Sequence, residues 1–435
     1  MQSFILKIYL RDYYSQCHDK RPGTPDKLLG RLQTPLQDEL QYWNYVETGS
    51  SESSVTADTL VWPRTEFVLT IDQLHDLQKA ETILSRFHGL VRLDPAGFKS
   101  EEDDNVGMKL LSQWHSDPYF LGEIHDSSLC CLKNTLRLDI SCCSHTTITD
   151  AGFQHMGNLK SLNMMGCTQT TISNKGFQHL TNLESLNMRN CGQTSITDAA
   201  LQTLTNLRSL NTMCCNQISD EGFINFSNLT ALCITGCFQT TVTSNAFRHL
   251  TNLRKLEMEG CEQDTINDDA FCPLQKLKTL DMAGCLQTTI TDDAFTHLSQ
   301  LERLTLAGCN QATITGHTFK HLPNLRTLDM AHCHQITIGD DAFQHLQNLR
   351  SLNISHCQQT TISDEAFRHL GNLQNLVMQF CLQPTISNAA FRHLSNLEVL
   401  NMTGCFQSTI TIDIYRYLEH VKTLTVDMCT QLANL

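Results

Sequence analysis

Thiols return along this chain at a fixed interval, and thiols are among the side chains best able to hold a metal or exchange electrons. They stand at Cys143, Cys167, Cys191 and Cys215. After one step of 22 residues instead of 24, they continue at Cys237, Cys261, Cys285, Cys309, Cys333, Cys357, Cys381, Cys405 and Cys429. Stacked strands lie about 4.8 Å apart, so successive thiols would be neighbours. A structural zinc site needs four ligands converging on one point, and a linear file converges nowhere. The column therefore reads as structural, each thiol hydrogen-bonding the backbone of an adjacent turn. His317-Thr-Phe-Lys-His321 has the i, i+4 spacing of a zinc pair but lacks a metalloprotease glutamate. Ala331-His-Cys-His334 is rich in ligands, yet neighbours on a strand point to opposite faces. A histidine file runs through His155, His179, His249, His297, His321, His345, His369 and His393. It falls near the ends of short helices, where partial positive charge is favoured. No phosphate loop, nucleophile elbow or paired-carboxylate motif stands out, so the expectation is a non-enzyme without metal or cofactor.

The elements that place these residues follow from one frame. It reads Leu277-x-x-Leu280-x-Met282-x-x-Cys285-x-Gln287-x-x-Ile290-x-x-x-x-Phe295-x-x-Leu298. A fixed period of this length means stacked units sharing one core, a solenoid. Leu280-Asp281-Met282 alternates in, out, in, as a short strand does. Cys285 ends the strand and turns the chain inward. Thr291 suits an N-cap, with Asp292 and Asp293 in the first turn, where a helix dipole favours carboxylates. Ala294, Phe295 and Leu298 supply the inner face of a short helix. Each unit thus points about seven apolar or thiol groups inward. The unit containing Cys215 is two residues short, which predicts a local change in curvature.

Residues 131–435 carry about thirteen such units. Residues 1–130 show no period and read as a mixed α/β region that caps the stack. Within them Glu66–Ile71 suits a strand and Asp72–Phe87 a helix. Gly49–Asp58 suits a loop, and the acidic run Glu101–Asp104 a solvated one.

The formal net charge is −14, from 45 acidic and 31 basic side chains. That balance disfavours a nucleic-acid backbone or an anionic membrane as partner, while leaving room for local basic patches. An odd column of thirteen cysteines argues against pairwise bridging and for a reducing compartment, cytosol or nucleus. The N-terminal stretch, with Lys7 inside its apolar run, is a poor signal peptide. No apolar run is long enough to span a membrane.

The LxxLxMxxC frame, with Phe and Leu at fixed later offsets, resembles the leucine-rich repeat. The resemblance implies an α/β, right-handed curved solenoid, with a parallel sheet on its concave side and short helices on its convex side. Cysteine at this position, with Ile290-Thr291-Asp292 after it, is similar to the class common in F-box substrate receptors of ubiquitin ligases. The unit length with Phe295-x-x-Leu298-x-x-Leu301 is similar to the class found in receptor ectodomains, which has leucine where Gln287 stands. The intracellular type is the closer match. Residues 30–90, Thr34–Leu40 included, show no Leu-Pro start of an F-box. The function implied is binding a protein partner. Substrate recognition for a ubiquitin ligase, or recognition at a cell surface, are the alternatives.

Informative positions are those that vary while the frame stays constant. Outward positions of the strands and the turns after them carry Glu257, Glu259, Asp281 and Asp329 in the middle of the array. Nearer the C-terminus they carry Val377, Gln379 and Phe380. The expectation is a two-part footprint on the concave face, acidic residues beside an apolar anchor at Phe380.

Overall fold

A computed structural model describes residues 66–70, 90–94, 126–130, 132–141, 148–334, 336–429 and 432. The predicted helix at 72–87, the loops at 49–58 and 101–104, the 34–40 segment and Cys143 lie outside them. The chain divides into two compact units, Met1–Leu186 and Asn187–Leu435.

The first unit contains β1 (Glu66–Thr70), β2 (Leu90–Asp94), helix α1 (Asp126–Cys130), β3 (Arg137–Asp139) and β4 (Ser161–Asn163), followed by α2 (Asn174–Phe177). Its strands pair in parallel and in chain order, Phe67 opposite Val91, Val91 opposite Leu138 and Leu138 opposite Leu162. The strand expected at 66–71 is present. One 24-residue step nevertheless stands before residue 130, where Glu66 pairs with Leu90, and the next, from Leu90 to Arg137, is longer. The first step was illegible because Asp72 and Ala96 stand where later units have cysteine.

The second unit repeats one coil. After β5 (Ser185–Asn187), which straddles the division, come α3 (Asp198–Leu201), β6 (Ser209–Asn211), β7 (Ala231–Cys233), β8 (Lys255–Glu257) and β9 (Thr279–Asp281). They are followed by β10 (Arg303–Thr305), β11 (Thr327–Asp329), β12 (Ser351–Asn353), β13 (Asn375–Val377), β14 (Val399–Asn401) and β15 (Thr423–Thr425). Strands β6 to β15 pair in parallel and in order, leucine opposite leucine throughout. The short unit keeps this register, with Leu210 opposite Leu232. Its missing residues are therefore taken from the loop after Cys215.

The expected short helices are mostly single 3-10 turns, such as Asp292–Phe295. Thr291 caps that turn by accepting from the Asp293 N–H. The turn closes on i→i−3 bonds, the Ala294 N–H donating to Thr291 O at 3.2 Å. Inside the coil, Leu277, Leu280, Met282, Cys285, Ile290, Ala294, Phe295 and Leu298 are all buried. Successive phenylalanines meet across coils, Phe271 and Phe295 at 6.5 Å between ring centres. Fully burying one such ring contributes roughly 2–3 kcal/mol. Gln287 is buried in the same layer, a position not counted among the inward groups. Neither its amide nor those of Gln311, Gln383 and Gln407 has a hydrogen-bond partner among the described residues.

Carboxylates tie the turns together. Asp292 accepts from the N–H of Thr315 at 2.8 Å and from its hydroxyl at 2.6 Å, one coil onward. Asp220, Asp268, Asp340 and Asp364 do the same for Thr243, Thr291, Ser363 and Ser387. The helix-dipole account of Asp292 is therefore incomplete: its carboxylate serves the next coil's cap.

Candidate functional site

Parallel register turns a sequence period into straight files of side chains. On the sheet face of the second unit, Glu257, Asp281, Thr305, Asp329, Asn353, Val377 and Asn401 are successive cross-strand partners. All seven are half-buried. Much of this file has a local duty. Asp281 accepts from the Ala283 N–H at 3.1 Å, Asp329 from Ala331 at 2.9 Å, and Asn353 from Ser355 at 3.0 Å. Each side chain satisfies the N–H two residues on, as Asx turns do. Asp and Asn recur here for that reason, a cause the sequence reading does not give.

The acids are nonetheless more than caps. Burial raises the Asp281 carboxyl above its ordinary range, against the pull of the Ala283 N–H, and the charges of Glu257 and Asp329 raise it further. Lys255 offsets part of this, its Nζ standing 2.7 Å from Glu257. Asp329 also accepts from Asn353 Nδ2 at 3.1 Å. Glu259, in the turn after β8, is exposed. Glu257, Asp281 and Asp329 thus form a field of one sign.

A second feature lies just past the strand ends. There each coil makes a four-residue turn, closed by a bond such as Cys285 N–H to Met282 O at 3.1 Å. The turn's third residue has positive φ, which favours glycine. Gly236, Gly260, Gly284, Gly308 and Gly404 fill it, Asn190, Cys214 and Met428 take it elsewhere, and three consecutive coils place His332, His356 and Phe380 there, at φ of 58°, 58° and 52°. Their rings stack. His332 and His356 are 4.3 Å apart at 8°, and His356 and Phe380 are 4.9 Å apart at 22°. Phe380 ends the stack over Gly404, where a Cβ would collide with its ring. Burial lowers the pKa of His356, and His332 and His334 lower it further. Around the Phe380 end, Leu382 and Phe406 are each 48% exposed and Met428 is 62% exposed. Val377 and Gln379 lie beside it, the Gln379 N–H donating to Ser355 Oγ at 3.2 Å. The sequence reading names Phe380 but misses both histidines of the stack, Leu382, Phe406 and Met428. The available signal was the loss of glycine before Cys333, Cys357 and Cys381.

The thiol file lies inside the coil. Cys261, Cys285, Cys309, Cys333, Cys357, Cys381 and Cys405 each donate to a carbonyl 27 residues earlier, Cys285 to Met258 O at 3.0 Å. Cys167, Cys215 and Cys237 also donate to backbone carbonyls, and Cys191 is buried. Burial pushes the Cys261 thiol up to about 12 and Cys237 to about 11, far from a thiolate at neutral pH. Among the described residues no group of three or more His, Cys, Asp or Glu is placed to hold a metal ion. In the histidine file, His321, His345, His369 and His393 each end a short helix, as expected. Burial first, and then Lys320, lower the pKa of His321. His393 is lowered by burial and Arg392, whose Nε donates to its ring at 2.9 Å.

A family profile described as a leucine-rich repeat region matches residues 127–433. No curated protein matches the sequence. Solved structures share the fold. An internalin of Listeria monocytogenes is 20% identical, covers 77% of this chain and 94% of its own, and has a TM-score of 0.54. A chain of the Drosophila Toll–Spatzle complex is 18% identical over 84% of this chain and 50% of its own, TM-score 0.59. A chain of the TLR13–ssRNA13 complex is 22% identical over 70% of this chain and 45% of its own, TM-score 0.54. This chain spans half or less of the latter two. No helix among the described residues is long and apolar enough to cross a membrane.

Proposed function

The chain belongs to the leucine-rich repeat family, and from that premise we propose that it is a non-catalytic module binding a protein partner through the sheet face and the adjoining turns of residues 257–428. The ring stack carries this reading. Three consecutive non-glycine residues hold a backbone conformation that costs about 1 kcal/mol or more apiece, one that Asn190, Cys214 and Met428 hold singly or without a ring stack at the same turn. Coils on either side avoid that cost with glycine. Such strain is characteristic of working surfaces. What it supports is a firm apolar shelf: Phe380 backed by His356 and seated on Gly404, with Leu382, Phe406 and Met428 exposed nearby. Rigid aromatic anchors of this kind carry most of the energy of protein interfaces. The acids Glu257, Glu259, Asp281 and Asp329 supply the second half, attracting and orienting basic side chains of the partner. Among the described residues sixteen free thiols, two of them exposed at Cys130 and Cys272, favour a cytosolic or nuclear setting.

The test compares proteins retained by the full chain with those retained by Phe380→Gly and by Glu257→Gln/Asp281→Asn. Glycine removes the anchor while keeping a backbone its neighbours tolerate. A partner should be lost or weakened about tenfold or more with Phe380→Gly, and less with the neutralised acids. Identical retention by all three proteins would remove the sheet face from the account.

A further inference from the structure

The edge where the strands begin is basic, although the chain as a whole is acidic. The two columns that open β8 to β12 hold Arg254, Lys255, Lys278, Arg303, Arg326 and Arg350 against one acid, Glu302. The coils tie this edge together. The N–H of Lys278 donates to Arg254 O, that of Arg326 to Glu302 O, and that of Arg350 to Arg326 O, each at 2.8 Å. Lys278 Nζ reaches Glu302 at 2.6 Å, and with Arg326 and Arg303 nearby it holds that carboxyl below its ordinary range. Lys255 is committed to Glu257. Arg254, Arg303, Arg326 and Arg350 are exposed and make no ion pair among the described residues. Beside Arg350 opens a depression of about 280 Å³, lined also by Asn348, Asn372, Gln374 and Asn396. The three asparagines turn their amides to backbone carbonyls one coil back. The side chains of Arg350 and Gln374 are left to meet a ligand.

We propose that this rim takes an acidic stretch of a partner polypeptide, laid across the coils with its carboxylates on Arg303, Arg326 and Arg350. Guanidinium forks match carboxylates in two parallel hydrogen bonds, which favours Arg over Lys for this task. Coils advance about 4.8 Å, and alternate side chains of an extended peptide about 6.6 Å, a mismatch that long arginine side chains absorb. Thr279, Thr327 and Ser351 stand among the cations, and no aromatic ring does. A single-stranded nucleic acid would want rings there to stack its bases. The proposal does not rest on the sheet-face reading, since the two surfaces use different side chains.

The experiment is fluorescence anisotropy of a labelled oligoglutamate with the full chain, at low and at physiological salt. Binding should be salt-dependent and should weaken about tenfold or more in R303Q/R326Q/R350Q. R303K/R326K/R350K should fall between, and E257Q/D281N, which frees Lys255 from its ion pair and removes two negative charges, should bind at least as tightly as the parent. Thermal unfolding of each variant checks that the fold is kept. Absence of binding at low salt, an unchanged triple variant, or an equal loss in E257Q/D281N would overturn the assignment. So would tighter binding of oligouridylate or of a sulfated oligosaccharide, which would make the rim a site for another polyanion.

Discussion

Asp281 and Asp292 lie in one coil of the second unit, on opposite sides of it, and their carboxyls are driven in opposite directions. Burial works to raise both. At Asp292 the hydroxyls of Thr315 and Thr318 and the Thr315 N–H outweigh it, and its pKa falls below the ordinary range. At Asp281 one N–H donates, while Glu257 and Asp329 repel, and its pKa rises. The turn side of the coil has thus saturated its acid with donors from the next coil. The sheet face keeps an acid whose charge remains poorly compensated. Position in the same coil does not decide whether a carboxylate stabilises the stack or waits for a partner. The donors that reach it do.

The contrast can be broken first at Asp292. Asp292→Ala orphans buried donors of Thr315 and Thr318, so it should cost about 2–4 kcal/mol, whereas Asp281→Ala should cost about 1 kcal/mol or less. Chemical denaturation measures both, and hydrogen exchange at the Thr315 amide locates the loss. Equal costs would mean that the two acids do the same work. The sheet face has its own lever at Gly404. Gly404→Ala collides with the Phe380 ring as well as straining the turn, while a Cβ on Gly260 meets open space. We expect about 2 kcal/mol for the first and about 1 kcal/mol for the second. Their difference reports on the stack. Gln287 is a third kind of buried polar group, one without a donor or acceptor opposite it among the described residues. Gln287→Leu should therefore stabilise the coil by about 1 kcal/mol, read as a higher denaturation midpoint. A loss would show that the amide is satisfied.

The smallest effect is in the pH dependence. The stabilisation from Asp292 is complete above the ordinary carboxylate value of about 3.9 and is lost as pH falls through its lowered folded value. Asp281 behaves oppositely. Its cost is absent below the ordinary value and sets in as pH rises through its raised folded value. Asp281→Asn should then be more stable than the parent at pH 7 and not at pH 3. A variant less stable than the parent at pH 7 would show that Asp281 is already compensated.

Much of the coil was readable from residue types. Leu280 and Met282 inward, Thr291 as a cap, Phe295 as the large core side chain and Cys285 donating to a neighbouring carbonyl all follow from spacing and polarity. The candidate site was half readable. Glu257, Asp281, Asp329 and Phe380 stand out as variations in a constant frame. His356 does not, because its importance comes from rings in the coils before and after it. The Asx turns at Asp281 and Asp329 were hidden for the opposite reason. They are local, but a recurring Asp or Asn at an outward position looks like solvated surface until its backbone partner is known.

The amino-acid order alone determined that there would be a stack of like coils, because no 24-residue unit can bury its leucines, phenylalanine and thiol without a neighbour. It also determined which side chains point outward, since a strand alternates and a turn does not. Only the folded stack decided which of those outward groups act together. Register brings residues 24 apart into contact, and the fate of each charge or ring depends on what the neighbouring coil places beside it. Arg326 beside Glu302, His356 between His332 and Phe380, and Thr315 against Asp292 are adjacencies of that kind.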